Sequence, residues 1–440
     1  MVLLALLYAE FTRHALKYAY PPSDQTKGDF LAFFEAGQAM RTGADLYVER
    51  HRNYIYPPLV ALLYLPLTVL ADPPTLHRTA GIIALFLNVT MSIATVWMLA
   101  RESVRRLGSA SALAAPWVVP VVALLATLII ADKTRSELRM WQTNVLMLFL
   151  IALGVRWLDR RPMLAGLILG LAVNIKYLPI AFLPWLLLRR RFRAAGGLVL
   201  GILAGAFAPA LWVGWSTNLA YLRSGFAGLL GLFGVAPAPS SSHAVMEDIA
   251  GGLSISFTSA FARALGGPEH ATGALAISAL FCVGIAGAAA LLYWKRGLPV
   301  LAWPSAAHQG QGPFPLLILL EAAAIIIALL AFGPQTNPRH LYLLLLPAAV
   351  AAALLIGGTF DDAMAHPAAS GLRVRLPVLL GVLTLVGAIS LPPGGTQTLD
   401  HALGVWRAIA GPSYGLLVLL VVLAWTITAA ARRRCGSPPT

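Results

Sequence analysis

Asp29 is the residue near the start of the chain with the clearest potential for chemistry. It lies in the segment Gly28-Asp29-Phe30, directly before a stripe of phenylalanines. An aspartate is ionised in water at neutral pH and can accept a proton from a hydroxyl group. The same residue type directly before a helix is also a common N-cap, worth about 1 kcal/mol. The local sequence leaves two roles open, a catalytic carboxylate at the mouth of a cavity and a structural cap.

Other polar residues lie inside or beside apolar runs. An ionisable residue within a hydrophobic segment, such as Lys176, is costly and usually functional, unless its ammonium group reaches the interface. Gln142 and Asn144 open an apolar run, where amides bind sugar hydroxyls or serve in helix capping and helix-to-helix hydrogen bonds. The aromatic candidates for stacking on a sugar, or for an aromatic belt at the interface, are Tyr47, Tyr54 and Tyr56.

The composition places these residues in a membrane protein. The chain is 58% hydrophobic and 11% charged, with a mean hydropathy of +0.76. A soluble domain has about 25% charged residues, so lipid must cover most of this surface. The net charge of +14 comes from clusters at the ends of apolar runs. That distribution sets membrane topology, and we expect no nucleic-acid partner.

The apolar runs predict an all-α polytopic protein with roughly ten to twelve transmembrane helices, since one span needs about twenty residues. Residues 1–20 form a weak first span. The better candidates are 79–100, 113–130, 143–157, 194–213, 271–294, 315–332, 339–357, 376–391 and 413–431. With the basic clusters in the cytoplasm, the loops 21–78 and 214–270 lie on the opposite side.

Two apolar segments do not fit a single crossing. Residues 58–71 are short and contain Pro66, which favours a re-entrant or interfacial element. Basic clusters flank both ends of 162–188, so this segment must go out and return. Its polar middle predicts two short helices that meet at an apex, an arrangement tolerated at membrane depth only inside protein or beside a cavity.

The loop 21–78 contains a further predicted helix. Asp29 precedes it, and Phe30, Phe33 and Phe34 form an apolar stripe at helical spacing. The helix runs to about Arg41, and a glycine at position 43 is typical of a helix end. We predict an amphipathic helix on the outer membrane surface.

The order of several short motifs resembles glycosyltransferase family 87, the polyprenyl-phosphate-sugar-dependent membrane enzymes of the GT-C type. Trp141 and Tyr177 stand where that family commonly has Gly and Pro. The motifs are Gly28-Asp29-Phe30, Gly43-Ala-Asp-Leu-Tyr47, Tyr56-Pro57-Pro58 with Pro66, Gln142-Thr-Asn144, Ala165-Gly-Leu-Ile-Leu-Gly170 with Ile175-Lys176, Ser254 with Ser256, and Gly333-Pro334 with His340.

The resemblance implies one GT-C-type transmembrane domain over residues 1–440. It would transfer a sugar, typically mannose or arabinofuranose, from a polyprenyl-phosphate donor to a glycan or glycolipid acceptor outside the plasma membrane. It also implies that Asp29 is the general base of an inverting displacement; the phosphate is already a good leaving group, so no general acid is required.

The donor phosphate would need cations near the outer interface. The candidates are Lys176, Arg339, His340, His51 and Arg52, and the candidate sugar or acceptor contacts are Gln142, Asn144 and Tyr56. The spacing of Asp24, Asp29, Asp45 and Glu49 matches no metal-ligand pattern. We therefore expect no metal or other cofactor, with a divalent ion as the alternative.

Two other classes of protein fit a polytopic chain with broken helices. A secondary transporter or flippase would have buried charges at the midplane and repeated halves, but no repeat is visible and the polar residues gather near the loop 21–58. An O-antigen-ligase-like or polymerase-like enzyme would depend on a late basic loop, whereas here the acidic first loop dominates.

Overall fold

The computed structural model describes residues 1–19, 29–47, 54–69, 75–107, 115–233, 248–298, 300–301, 314–364, 370–389 and 397–435. Within these ranges the chain is helical and contains no strand. The all-α fold class predicted from the apolar periodicity is therefore confirmed.

The described part of the chain contains the following α-helices. In chain order they are α1 Val2–Ala19, α2 Phe30–Thr42, α3 Pro58–Val69, α4 Thr75–Leu107, α5 Val118–Ile129, α6 Ala131–Met140, α7 Asn144–Trp157, α8 Pro162–Val173, α9 Phe182–Leu188, α10 Phe192–Phe207, α11 Ala210–Val213, α12 Trp215–Leu232, α13 Phe257–Leu265, α14 Ala271–Lys295, α15 Phe314–Phe332, α16 Leu345–Met364, α17 Ser370–Leu383, α18 Gln397–Ala408 and α19 Gly411–Cys435.

Five helical segments in the described part of the chain are long and apolar enough to cross a membrane. They are residues 78–107, 192–213, 268–295, 338–356 and 411–428. Shorter apolar helices, such as α5, α7 and α8, accompany them. A membrane protein is what these lengths indicate, and the count of ten to twelve crossings stays a prediction.

The segment 162–188 is broken as expected. Helix α8 ends at Val173, and a 3-10 turn over Leu178–Ala181 leads into α9. Between them, the Asn174 side chain donates hydrogen bonds to the carbonyl oxygens of Gly170 (3.2 Å) and Ile202 (3.1 Å). The apex is therefore fixed to α10, and this anchor holds Lys176, two residues further along, in a defined place.

Close packing of α8 against α10 supports this apex. A Cβ atom at Gly170 would overlap the carbonyl oxygen of Leu198, and one at Gly166 would overlap that of Ala194. Small residues at such positions let two helix backbones approach closely in membranes. The glycines of the Ala165–Gly170 motif thus have a packing role.

Replacing Gly170 by alanine should destabilise the protein, because overpacking of a tight contact costs about 1–3 kcal/mol. The matched control is Gly196→Ala on the exposed side of α10, where a new Cβ meets no atom within 4 Å. That control should be neutral or stabilising by about 0.5–1 kcal/mol, because alanine favours helix. Thermal unfolding in detergent measures both variants, and equal midpoints would contradict the packing role.

Ion pairs join three of the basic segments that were assigned to the cytoplasm, those around residues 106, 159 and 191. The Arg106 guanidinium lies 2.6 Å from the Glu102 carboxylate and 3.0 Å from that of Asp159, and Asp159 also binds Arg191 at 2.9 Å. Helix α7 runs from these ion pairs to Asn144. The candidate polar residues gather around Asn144, at the other end, and the side of the membrane on which each end lies stays a prediction.

Candidate active site

Asp29 precedes α2 but does not cap it through its side chain. It occupies the N-cap position without a side-chain hydrogen bond to the helix, so the N-cap interpretation of this carboxylate is wrong. The helix ends at Gly43 with φ 72°, as expected. Its burial extends beyond the phenylalanine stripe to Leu31 and Met40, and its position at the membrane surface stays a prediction.

The carboxylate of Asp29 instead faces residues from distant parts of the chain. Arg339 donates from Nη1 to Oδ2 at 2.7 Å, and Gln142 donates from Nε2 to the same oxygen. The Asp29 N–H donates to the carbonyl oxygen of Met140 at 3.1 Å. Among the residues described, Oδ1 accepts no hydrogen bond, and 32% of the side chain is exposed. Protein groups thus hold one carboxylate oxygen, and the other has no hydrogen-bond partner in the described part of the chain.

Gln142 and Tyr56 orient this carboxylate. Tyr56 donates from its hydroxyl to Oε1 of Gln142 at 3.2 Å, which directs the amide nitrogen of Gln142 at Asp29. Burial raises the pKa of the Tyr56 phenol, so it stays a donor. Gln142 is only 2% exposed. The structure therefore brings both residues to the site, with their polar atoms already engaged by protein groups.

Lys176 lies in a second group of contacts beside the first. Its ammonium nitrogen donates to Oδ1 of Asn144 at 2.7 Å and lies 3.2 Å from Nε2 of His340. It also lies 5.5 Å from the centre of the Tyr56 ring, a cation–π distance. The predicted residues Lys176, Asn144 and His340 are thus brought together, although 164 residues separate Lys176 from His340.

The second nitrogen of His340 fixes the state of its ring. The backbone N–H of Asn337 donates to Nδ1 of His340 at 3.3 Å. A ring nitrogen that accepts such a bond carries no proton, so the imidazole in this contact is neutral with its proton on Nε2. That nitrogen lies 3.2 Å from the nitrogen of Lys176. His340 therefore serves as a neutral donor and not as the cation that we expected.

Glu137 is a site residue that sequence reasoning missed. It is fully buried on α6, and its Oε2 accepts a hydrogen bond from Asn144 Nδ2 at 3.0 Å. Its other oxygen is buried without a hydrogen-bond partner among the described residues. Burial raises the pKa of the Glu137 carboxyl. Asn144 thus connects this acid to Lys176, and both amide atoms of Asn144 are in use.

The segment that carries Arg339 and His340 is fixed by two of the serines in the motifs. Ser254 Oγ accepts from the backbone N–H of Thr336 at 3.0 Å, and Ile255 N–H donates to Thr336 O at 2.8 Å. Ser256 caps α13 by accepting from the backbone N–H of Ser259. Both serines are buried, so their contribution is to hold the loop in place.

Trp141 adopts a backbone conformation that usually requires glycine. Its φ is 57° and its ψ 45°, in the left-handed region, where it ends α6. Its side chain is 1% exposed and lies 5.1 Å from the ring of Phe30, between centroids. The buried aromatic contact offsets the backbone cost, roughly 1–2 kcal/mol for a residue with a Cβ. This explains how tryptophan fits where the resembled family has glycine.

Several other expectations can be compared with the structure. Tyr47 and Tyr54 are buried and donate to backbone carbonyls, so the proposed stacking on sugar is wrong for both. The candidates His51 and Arg52 lie outside the described residues. In the described ranges, no three His, Cys, Asp or Glu side chains form a metal-binding group, and the expectation of a metal-free reaction stays a prediction.

Comparison with known proteins identifies the family. A sequence model described as "Glycosyltransferase family 87" matches residues 54–308. The chain belongs to glycosyltransferase family 87. The family predicted from the motifs is thus confirmed. The matched region of this family 87 protein contains Tyr56, Gln142 and Lys176, whereas Asp29 and Arg339 lie outside it and are placed in the site by the structure.

Three curated relatives resemble this family 87 protein. A "Polyprenol-phosphate-mannose-dependent alpha-(1-2)-phosphatidylinositol mannoside mannosyltransferase" of Mycolicibacterium smegmatis is 26% identical over 87% of this chain and 78% of its own length. The protein of the same description from Mycobacterium tuberculosis is 28% identical over 32% of this chain and 33% of its own. "GPI mannosyltransferase 1" of Aspergillus fumigatus is 29% identical over 38% and 36%. The alignments thus span only about a third of two of these relatives.

Proposed function

We propose that this family 87 protein transfers mannose from a polyprenyl-phosphate donor to a glycolipid acceptor on the non-cytoplasmic face of the plasma membrane. The mycobacterial relatives are described as polyprenol-phosphate-mannose-dependent, which favours mannose over arabinofuranose. The observation that carries the proposal is the Asp29 carboxylate. Arg339 and Gln142 hold its Oδ2, and its Oδ1 has no partner among the described residues.

In the proposed reaction, Asp29 is the general base. The acceptor hydroxyl attacks the anomeric carbon of mannose while its proton passes to Oδ1 of Asp29. The bond from the anomeric carbon to the phosphate oxygen breaks, and polyprenyl phosphate leaves with the electron pair. A single displacement of this kind inverts the configuration at the anomeric carbon. Arg339 and Gln142 fix the orientation of the base during the attack.

The donor phosphate would bind at Lys176, His340 and Arg339. The Lys176 nitrogen and Nε2 of His340 lie 3.2 Å apart, so one phosphate oxygen placed between them would accept a hydrogen bond from each. Arg339 directly precedes His340 and supplies a second cation. Such donors stabilise the charge that develops on the leaving phosphate. The sugar would then lie between this phosphate and Asp29, because a single displacement places the leaving group and the base on opposite faces of the anomeric carbon.

The test is transfer by the purified protein. We expect labelled mannose to pass from polyprenyl-phosphate-mannose to a membrane glycolipid extract in detergent, without an ion gradient. Polyprenyl-phosphate-arabinofuranose, assayed in parallel, tests the sugar. Transfer of arabinofuranose alone would correct the donor. Uptake of a solute into sealed vesicles without any glycosyl transfer would instead favour a transporter.

A further inference from the structure

A basic cavity lies next to Asp29, since two of its lining residues, Met140 and Arg339, are hydrogen-bonded to Asp29. Its volume is about 740 Å³, and it lies between α1, α6 and the segment 337–341. Its lining includes the cations Lys133, Arg135, Arg139 and Arg407 and the apolar side chains of Leu253 and Leu341. The wall thus combines cationic and apolar side chains, which suits an amphipathic anion.

Among the described residues, the positive charge of this basic cavity exceeds its negative charge. Lys133 pairs at 3.1 Å with Asp132, the one acid among the described lining residues. Arg135, Arg139 and Arg407 have no carboxylate within an ion-pair distance among the described residues. The Nε atoms of Arg139 and Arg407 are buried without a hydrogen-bond partner in the same ranges. Buried donors of this kind require an acceptor.

Helix α6 connects the basic cavity to the candidate active site. Glu137 lies on its buried face, whereas Arg135 and Arg139, four residues apart, share the face towards the cavity. At the end of α6, the carbonyl oxygen of Met140 accepts the N–H of Asp29. Arg339 lines the cavity and also binds the Asp29 carboxylate at 2.7 Å. A ligand in this cavity is therefore next to the proposed base.

We infer that the basic cavity binds the phosphate-bearing head group of an anionic lipid acceptor. This rests on the proposed function for the ligand's role as acceptor. Arg135, Arg139 and Arg407 bind the phosphodiester, the apolar wall contacts the lipid, and a hydroxyl of the head group reaches Asp29. The donor and acceptor phosphates then have separate partners, Lys176 with the neutral His340 for the donor and the α6 arginines for the acceptor.

Binding of short-chain lipids tests the site without requiring catalysis. The probes are dihexanoyl phosphatidylinositol and zwitterionic dihexanoyl phosphatidylcholine, titrated into the full chain in neutral detergent. Because a hydrogen bond from a cation contributes about tenfold in affinity, Arg135→Gln and Arg139→Gln should each weaken phosphatidylinositol binding by about tenfold. Phosphatidylcholine should bind more weakly to the unaltered protein and change little between variants.

The matched control is Arg160→Gln. Arg160 lines a separate basic cavity together with Arg101 and Arg156. This control should leave phosphatidylinositol binding unchanged. Two results would overturn the inference. An equal loss of phosphatidylinositol affinity in Arg160→Gln and Arg139→Gln would show a general attraction to basic surface. Unchanged affinity in both α6 variants would show that the cavity is not the binding site.

Two further outcomes separate this inference from the proposed function. In the transfer assay, Arg139→Gln should raise the KM for the acceptor by about tenfold and leave the KM for polyprenyl-phosphate-mannose unchanged. A raised KM for the donor alone would assign the cavity to the donor and overturn the inference, with the mannosyltransferase proposal intact. Arginine-dependent binding of phosphatidylinositol without any transfer would support the anion site and remove the proposed function.

Discussion

Replacing Asp29 by asparagine should lower the rate of mannosyl transfer by roughly a thousandfold, within the range that general bases contribute. Asparagine keeps the shape of the side chain, and its carbonyl oxygen can still accept from Arg339 and Gln142. It cannot take a proton from the acceptor hydroxyl. The fall should therefore appear in kcat, while the KM for the donor changes little. The measurement is a steady-state transfer assay with labelled polyprenyl-phosphate-mannose.

The control for this variant is Glu10→Gln. Glu10 is an exposed acid that pairs with Arg13 at 2.7 Å on the surface of α1. Its neutralisation should leave both transfer and thermal stability unchanged, since exposed ion pairs contribute little. Residual activity above about a tenth in a folded Asp29→Asn protein would remove Asp29 from the role of base, because such a loss is smaller than general-base catalysis provides.

The broken segment 162–188 shows what the sequence could reveal about this fold. Basic clusters at both of its ends required an even number of crossings, and Asn174 and Lys176 marked its apex. Both signals are local in the sequence, so a single sequence was enough to detect them. The glycines of α8 were visible as a motif, but their contact with α10 required the packed structure.

The pairings within the site could not be predicted in the same way. Arg339 and Asp29 are 310 residues apart, and no local pattern links them. Glu137 was missed because α6 is polar on several faces, with Asp132, Lys133, Arg135 and Arg139 around it. Periodicity cannot reveal which polar face of such a helix is buried. The burial of Tyr47 and Tyr54 could not be predicted either, since an aromatic side chain fits both a protein core and a membrane interface.

The position of Asn144 links the two halves of the site. It accepts from Lys176 with its oxygen and donates to Glu137 with its nitrogen, so one side chain holds a buried acid and a cation near each other. The pair balances its charge in a region with little water, and an unpaired charge there would be costly. Lys176 is thus held in place before any phosphate binds, which lowers the entropy cost of binding.

Replacing Lys176 by methionine should therefore raise the KM for polyprenyl-phosphate-mannose by about thirtyfold, with little change in the KM for the acceptor. The charge pair that is lost joins the Lys176 ammonium to the donor phosphate. Removing one partner of such a buried pair costs at least about 2 kcal/mol, which corresponds to about thirtyfold in affinity. The donor KM of Lys176→Arg should lie between those of the unaltered protein and Lys176→Met, because arginine keeps the charge but changes the geometry of the hydrogen-bond donors. An equal increase of the KM values for donor and acceptor would argue against a role of Lys176 at the donor phosphate.

A second variant separates this effect from loss of folding. Lys176→Met leaves the Glu137 carboxylate without its cation, and the protein should also lose thermal stability. Adding Glu137→Gln removes the buried negative charge, so the double variant should regain stability near that of the unaltered protein. Its KM for the donor should stay raised, because the phosphate still lacks the ammonium group. If the donor KM of the double variant returned to its original value together with the thermal stability, Lys176 would serve only to balance the charge of Glu137.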